Sequence, residues 1–257
     1  MEMLKGKFIV LEGMSGSGKT FQHNRLAETD LRKSCFFGAS PTKALFGTVV
    51  RSIYEGRAID SSHLEQCRSF IKEQENDITK LDFWVKVFAI LDALAHGDKP
   101  SQLDIQILFI ADRIDFLVNV IGPALAKSHV ILDRYMLSTF TYGGSGGILY
   151  ETLKELHIEA FSSFPQVYEF WRPDVIIVYD VTVQTAIDRL KRSGKIIDIF
   201  EADVQRMHRI RSLYQDLSKK KWFGGKTVLI NAERSANEVF SEVRQEILTA
   251  ISENKSP

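Results

Sequence analysis

Gly13-Met14-Ser15-Gly16-Ser17-Gly18-Lys19-Thr20 follows directly on the apolar run Phe8 to Leu11 and leads into Phe21-Gln22-His23-Asn24-Arg25-Leu26-Ala27. The octet fits GxxxxGK[ST]. Its flanks read as a buried strand and a helix, the one setting in which that pattern has a mechanism. Glycines let the backbone wrap an anion closely, and the amides of the new helix aim the positive end of its dipole at that anion. Lys19 is placed to reach the β- and γ-phosphates, and the Thr20 hydroxyl to ligate Mg²⁺. Gly13 to Thr20 therefore predicts a nucleoside triphosphate site rather than an ordinary Gly-rich turn.

Outward from that loop, apolar runs recur at Cys35 to Gly38, Val130 to Leu132, Val175 to Tyr179 and Val228 to Ile230, with helix-period segments between them. This alternation predicts a three-layer α/β/α fold around a five-stranded parallel central sheet, with ligands at the carboxyl ends of the strands. Between Pro41 and Leu103 no strand pattern occurs. Amphipathic stretches such as Phe83 to Leu91 predict a helical insertion at about 57–102, starting near Ser61 and Ser62 and stopping at Gly97-Asp98-Lys99-Pro100. The expectation is a single domain over 1–257.

Charge narrows the partners. Lys and Arg number 33, as do Asp and Glu, so no net field draws the chain to a nucleic acid polymer or an anionic membrane. No run approaches the roughly 18 apolar residues of a membrane span, and the first residues lack the apolar stretch of a signal peptide. Cys35 and Cys67 form no CxxC pair and read as inert buried thiols. A cytoplasmic setting is expected.

A second constellation lies further on. His129-Val130-Ile131-Leu132-Asp133 is a short apolar strand ending in a carboxylate, the form of the acidic partner to a phosphate-binding loop, and Asp133 is the candidate to hold Mg²⁺ through water. Arg134-Tyr135-Met136-Leu137-Ser138-Thr139-Phe140-Thr141-Tyr142-Gly143-Gly144 follows it, and Leu108-Phe109-Ile110-Ala111-Asp112-Arg113 precedes it on a helix running to Gly122-Pro123. At these residues the chain resembles the thymidylate kinase family, whose members transfer the terminal phosphoryl group of ATP to thymidine monophosphate. Leu108 to Arg113 resembles its LFxADR segment, Val120 to Leu125 its IxPAL continuation, and Asp133 to Gly144 its DRYxxSxxxY segment. Arg172-Pro173-Asp174 with Val175 to Val181 resembles its PD-strand-D-V segment, and Ile230-Asn231-Ala232 with Glu238-Val239 its last strand and helix. The resemblance covers nearly the whole chain apart from the helical insertion.

It implies a P-loop kinase fold, ATP with Mg²⁺ as donor, a pyrimidine deoxynucleoside monophosphate as acceptor, and a homodimer. Phe109 and Arg113 are four apart on one helical face, so the ring can stack on a pyrimidine while the guanidinium bonds its O4. By the resemblance, Arg134 grips the acceptor phosphate, Ser138 and Thr139 line the base pocket, and Tyr142 packs beside the sugar. Asp188 to Lys195, with Asp198, Phe200 and Glu201, resembles a mobile lid at about 189–201. Charge developing on the transferred phosphoryl group calls for an arginine, and the loop itself carries none, so the lid is expected to deliver it. Arg192 is the first candidate, with Arg189, also expected at the ATP site, and Lys195 behind it. Arg206, Arg209 and Arg211 read individually as a solvated helix surface. No histidine is assigned a catalytic role, because the acceptor phosphate is already anionic.

Two positions depart from the family pattern. Ser15 occupies the place of a loop carboxylate that contacts the acceptor sugar, and Ala39-Ser40-Pro41-Thr42 that of an Arg-Glu-Pro segment that helps hold the acceptor phosphate. Arg51 or Lys43 could compensate. These departures keep open a nucleotide-binding relative with weak or altered acceptor specificity, such as another pyrimidine monophosphate. A non-kinase P-loop NTPase is the other alternative, although Asn231-Ala232-Glu233-Arg234 lacks the NKxD segment of a guanine reader.

Overall fold

The computed structural model describes residues 6–74, 78–168, 170–194 and 203–253. The expected lid residues Lys195, Asp198, Phe200 and Glu201 lie outside these. Its elements are β1 (Phe8–Glu12), α1 (Lys19–Ala27), β2 (Cys35–Ala39), α2 (Leu45–Tyr54), α3 (Ser61–Lys72), α4 (Asp82–Ala95), α5 (Gln102–Phe116), α6 (Gly122–Leu125), β3 (His129–Asp133), α7 (Met136–Ser145), α8 (Tyr150–Ser162), α9 (Pro165–Tyr168), β4 (Val175–Asp180), α10 (Val183–Ser193), α11 (Val204–Leu217), β5 (Lys226–Asn231) and α12 (Ala236–Ser252).

All strand pairs are parallel, in the order β2-β3-β1-β4-β5. β1 is buried along its whole length, which explains its uninterrupted apolar run: neighbours flank it on both edges and helices cover both faces. β5, at the sheet edge, leaves Leu229 half exposed. α1 packs with α12 over one face, and α7 packs with α11 on the other. The result is the three-layer α/β/α arrangement.

The described residues of 57–102 hold no strand and form α3, a 3-10 turn at Ile78–Lys80 and α4, joined by turns and coil. The start of α3 lies one residue earlier than Ser61-Ser62 suggests, because Asp60 caps it by accepting from the Ser62 amide at 2.8 Å. Trp84 is fully buried and donates its indole N–H to Ser163 Oγ at 3.2 Å, tying α4 to the end of α8. α5 opens with a reciprocal Ser101/Asp104 cap and passes through a π turn at Leu117–Ile121 before Gly122-Pro123.

Candidate active site

Leu11 lies opposite Asp133 in the β1/β3 register, so Gly13 and Arg134 leave the sheet at the same edge. Gly13, Gly16 and Gly18 all have positive φ, at 144°, 77° and 93°. A Cβ on Gly16 would also come within 2.4 Å of the Ala186 carbonyl, so this turn accepts glycine alone. α1 begins at Lys19 with no side-chain cap, which leaves its first-turn amides to an anion. Lys19 Nζ donates to the Met14 carbonyl at 3.2 Å, folded over its own loop. The loop borders a cavity of about 750 Å³ that Arg51, Arg134, Arg189 and Arg234 also line.

Thr20 Oγ1 donates to Asp133 Oδ2 at 2.6 Å, while Asp133 Oδ1 is buried with no partner. Two hard oxygen donors in contact, one with unspent acceptor capacity, fit Mg²⁺. Arg189 donates to the Ser17 carbonyl at 3.3 Å and the Ala232 carbonyl at 2.9 Å, joining the phosphate loop to the loop after β5. Arg192 is exposed near the end of α10 and lines neither this cavity nor the smaller one beside it.

That smaller cavity, about 160 Å³, brings together Phe109, Arg113, Arg134, Ser138, Thr139 and Tyr142. Phe109 presents a partly buried ring, with Tyr54 of α2 tilted against it at 5.7 Å. Arg113 is buried, and its Nη2 donates to the Tyr135 carbonyl at 2.8 Å. His157 of α8 orients the other branch. Its Nδ1 faces the Leu153 carbonyl at 2.7 Å, an atom that only accepts, so the proton sits there and Nε2 accepts from Arg113 Nη1 at 3.4 Å. Burial, and then the Arg113 charge, push the His157 pKa down to about 3. Asp112 does not pair with Arg113. It turns to the Thr42 hydroxyl (2.6 Å) and amide (3.1 Å), pinning the turn after β2 to α5, and burial lifts its pKa to about 6.

Comparison with known proteins identifies the family. Residues 88–243, more than half of the chain, match the thymidylate kinase family model. The chain belongs to the thymidylate kinase family. It is 28% identical to a thymidylate kinase of Legionella pneumophila (strain Paris) over 99% of this chain and 100% of that one. It is 26% identical to a probable thymidylate kinase of Pyrococcus abyssi over 93% of this chain and 95% of that one. A thymidylate kinase of Glaesserella parasuis is likewise 26% identical, over 95% of this chain and 96% of its own length.

In this family member Arg134 bridges the two cavities. Its Nη1 donates to the Gly13 carbonyl (3.2 Å) and Ser138 Oγ (3.1 Å), and its Nη2 to Ser15 Oγ (3.2 Å) and Tyr142 Oη (3.3 Å). Burial by itself would depress the guanidinium pKa, but Tyr142, Tyr214, Asp133 and Glu12 outweigh it and hold the pKa above its ordinary value. Arg134 also sits at φ 69°, a left-handed conformation that costs a non-glycine residue about 1–3 kcal/mol and must be held by its contacts.

Sequence reasoning missed Glu12, which organises those contacts. Its buried carboxylate accepts from the Tyr135 amide (2.9 Å), the Ser138 amide (3.1 Å), Ser138 Oγ (2.6 Å) and the Tyr214 hydroxyl (3.2 Å). It sits at the amino end of α7, where the helix dipole favours a carboxylate. The signal available was a carboxylate ending a run of apolar strand residues.

Arg206 and Arg211 are half-buried rather than solvated, contrary to expectation, whereas Arg209 is exposed as expected. Arg206 bonds Ser145 Oγ, Gln102 Oε1 and the Tyr142 carbonyl, and Arg209 bonds the Ser145 carbonyl. Arg211 forms two bonds to Asp180, at 2.8 and 3.0 Å. A helix read alone cannot reveal the carbonyls and carboxylate that α7 and β4 set against it. Arg51 lines the phosphate cavity, with its Nε donating to the Thr42 carbonyl at 3.0 Å and its Nη2 to that of Pro41, whereas Lys43 is exposed. Both cysteines are buried, and burial pushes the Cys67 thiol up to about 12.

Proposed function

We propose that this chain transfers the γ-phosphoryl group of ATP to thymidine monophosphate, yielding ADP and thymidine diphosphate. The observation that carries the reading is that Ser15 and Arg134 line both cavities, so a triphosphate on the loop and a monophosphate in the pocket meet across them. An oxygen of the acceptor phosphate forms its bond to the γ-phosphorus as the bond to the β,γ-bridging oxygen breaks. The displaced pair leaves on ADP, and no proton need be removed from the attacking oxygen. The loop amides and Lys19 take up charge on the donor, with Arg189 at the same site. Arg134 and Arg51 hold the acceptor phosphate, Arg51 substituting for the family's missing Arg-Glu-Pro anchor.

Thr20 and Asp133 would hold Mg²⁺, which supplies charge neutralisation on the donor oxygens when bound. Arg192, carried on the lid at 189–201, is the residue assigned to the transferred group. Phe109 and Arg113 take the base, with Ser138 and Thr139 lining its pocket. Ser15 and Tyr142 take the sugar, with a neutral hydroxyl in place of a carboxylate. No described helix is long and apolar enough to cross a membrane. A cytoplasmic homodimer, with the helical insertion at 57–102 part of a single domain, completes the reading.

Coupled measurement of ADP release with a panel of nucleoside monophosphates tests it. Turnover that depends on thymidine monophosphate is expected. ATP hydrolysis indifferent to any acceptor, or no turnover with any of them, would overturn it.

A further inference from the structure

Gln106 is fully buried, yet neither its Oε1 nor its Nε2 has a hydrogen-bond partner. It lies on α5 three residues before Phe109 and seven before Arg113, which puts all three on one helical face, and it lines the acceptor cavity. Gly143 of α7 makes room for it, since a Cβ there would come within 3.2 Å of Gln106 Cγ. Arg113 Nε and Thr139 Oγ1 are also buried and unpartnered, and their residues line the same cavity. Of the nine such side-chain atoms among the described residues, four therefore belong to this one small pocket. Leaving a buried polar atom unmet is costly, and a ligand entering this pocket is the partner positioned to meet these atoms together.

We propose that Gln106 reads the N3 and O2 edge of the acceptor base and, with Arg113, restricts the site to 2,4-dioxopyrimidines, thymine and uracil, against cytosine. The inference rests on the acceptor reading above and deepens it. Along its polar edge a 2,4-dioxopyrimidine presents O4 as acceptor, N3–H as donor and O2 as acceptor. A primary amide offers an acceptor beside a donor in one plane, the same two-bond matching by which Gln reads adenine. Arg113 Nε, whose partner branches are held by Tyr135 and His157, donates to O4. Gln106 Oε1 then accepts from N3–H, and Nε2 donates to O2.

Cytosine reverses two of the three functions. Its 4-amino group faces the Arg113 donor, and its N3 lone pair faces Oε1. Flipping the amide repairs N3 but sets Oε1 against O2, so no orientation of Gln106 satisfies cytosine. A site whose polar groups are left unpaired rejects a ligand far more strongly than an apolar pocket does.

Calorimetric binding to the full-length chain, without ATP, tests this with thymidine monophosphate, deoxyuridine monophosphate and 5-methyldeoxycytidine monophosphate. The proteins compared are the wild type, Gln106→Met and, should that variant fold poorly, Gln106→Leu. The wild type should prefer the two dioxopyrimidines by at least about tenfold, and Gln106→Met should cut that preference by about tenfold. ATP affinity should be unchanged and the melting temperature no lower, because an unpaired buried amide has been removed. Unchanged thymidine monophosphate affinity and selectivity in the variants would overturn the role of Gln106 while leaving the kinase reading intact in the ADP assay. Weaker binding at unchanged selectivity with a lowered Tm would mark mere packing and also overturn it. A wild type that binds none of the three would overturn both readings.

Discussion

The donor and acceptor cavities share Ser15 and Arg134 but are built in opposite ways. On the donor side the working atoms belong largely to one short segment, Gly13 to Thr20, whose glycines turn the backbone itself into the ligand. On the acceptor side no two neighbouring elements suffice. Phe109, Gln106 and Arg113 come from α5, Ser138, Thr139 and Tyr142 from α7, and Tyr54 from α2, with His157 of α8 behind them. A phosphate needs only amides and positive charge, which a single turn can supply. A base needs donors and acceptors on several sides in fixed orientation, which only converging elements provide.

Four substitutions probe that difference. Lys19→Ala should have the largest effect, a loss of transfer of about 10³-fold or more with the fold intact, seen as kcat in the coupled assay. Asp133→Asn should lower turnover by about 10²-fold and raise the Mg²⁺ concentration needed for half-maximal rate, because the unpartnered Oδ1 becomes an amide group unable to offer a carboxylate. Equal Mg²⁺ dependence in variant and wild type would remove the metal role from this pair.

Arg113→Ala should raise the acceptor KM by about 10- to 100-fold and leave the ATP KM alone. Matching losses for both nucleotides would erase the distinction between the cavities. His157 gives the smallest effect. Its folded pKa near 3 lies below the ordinary 6.5, so the native state binds fewer protons between those values. Its contribution to stability is complete above about pH 6.5 and lost as pH falls toward 3. Wild-type Tm should therefore fall more between about pH 6.5 and 5 than that of His157→Gln, by roughly 4 °C, read from parallel melts.

The strands show how much the sequence discloses. All five stand where apolar runs occur: the inner strands β1, β3 and β4 are buried on both faces and have no solvent side to encode, while the edge strands β2 and β5 are only partly buried. Asp60 capping α3 and the π turn at Leu117–Ile121 were not legible, since both are settled by local competition among similar residues. Gln106 carried no signal either. A glutamine on an amphipathic helix ordinarily faces water, and only the packing of α5 against α7 encloses it.

By itself the sequence determined the phosphate loop, the parallel α/β sheet around it and the pairing of that loop with Asp133. Their physics is local: turn geometry, strand periodicity and a carboxylate at a strand end. Tertiary structure alone decided that Glu12 anchors the Arg134 turn, that Arg206 and Arg211 clamp α11 to its neighbours, and that Gln106 is enclosed beside the smaller cavity. Those roles depend on which donors and acceptors distant segments bring within hydrogen-bond reach, and periodicity in one dimension carries no record of that.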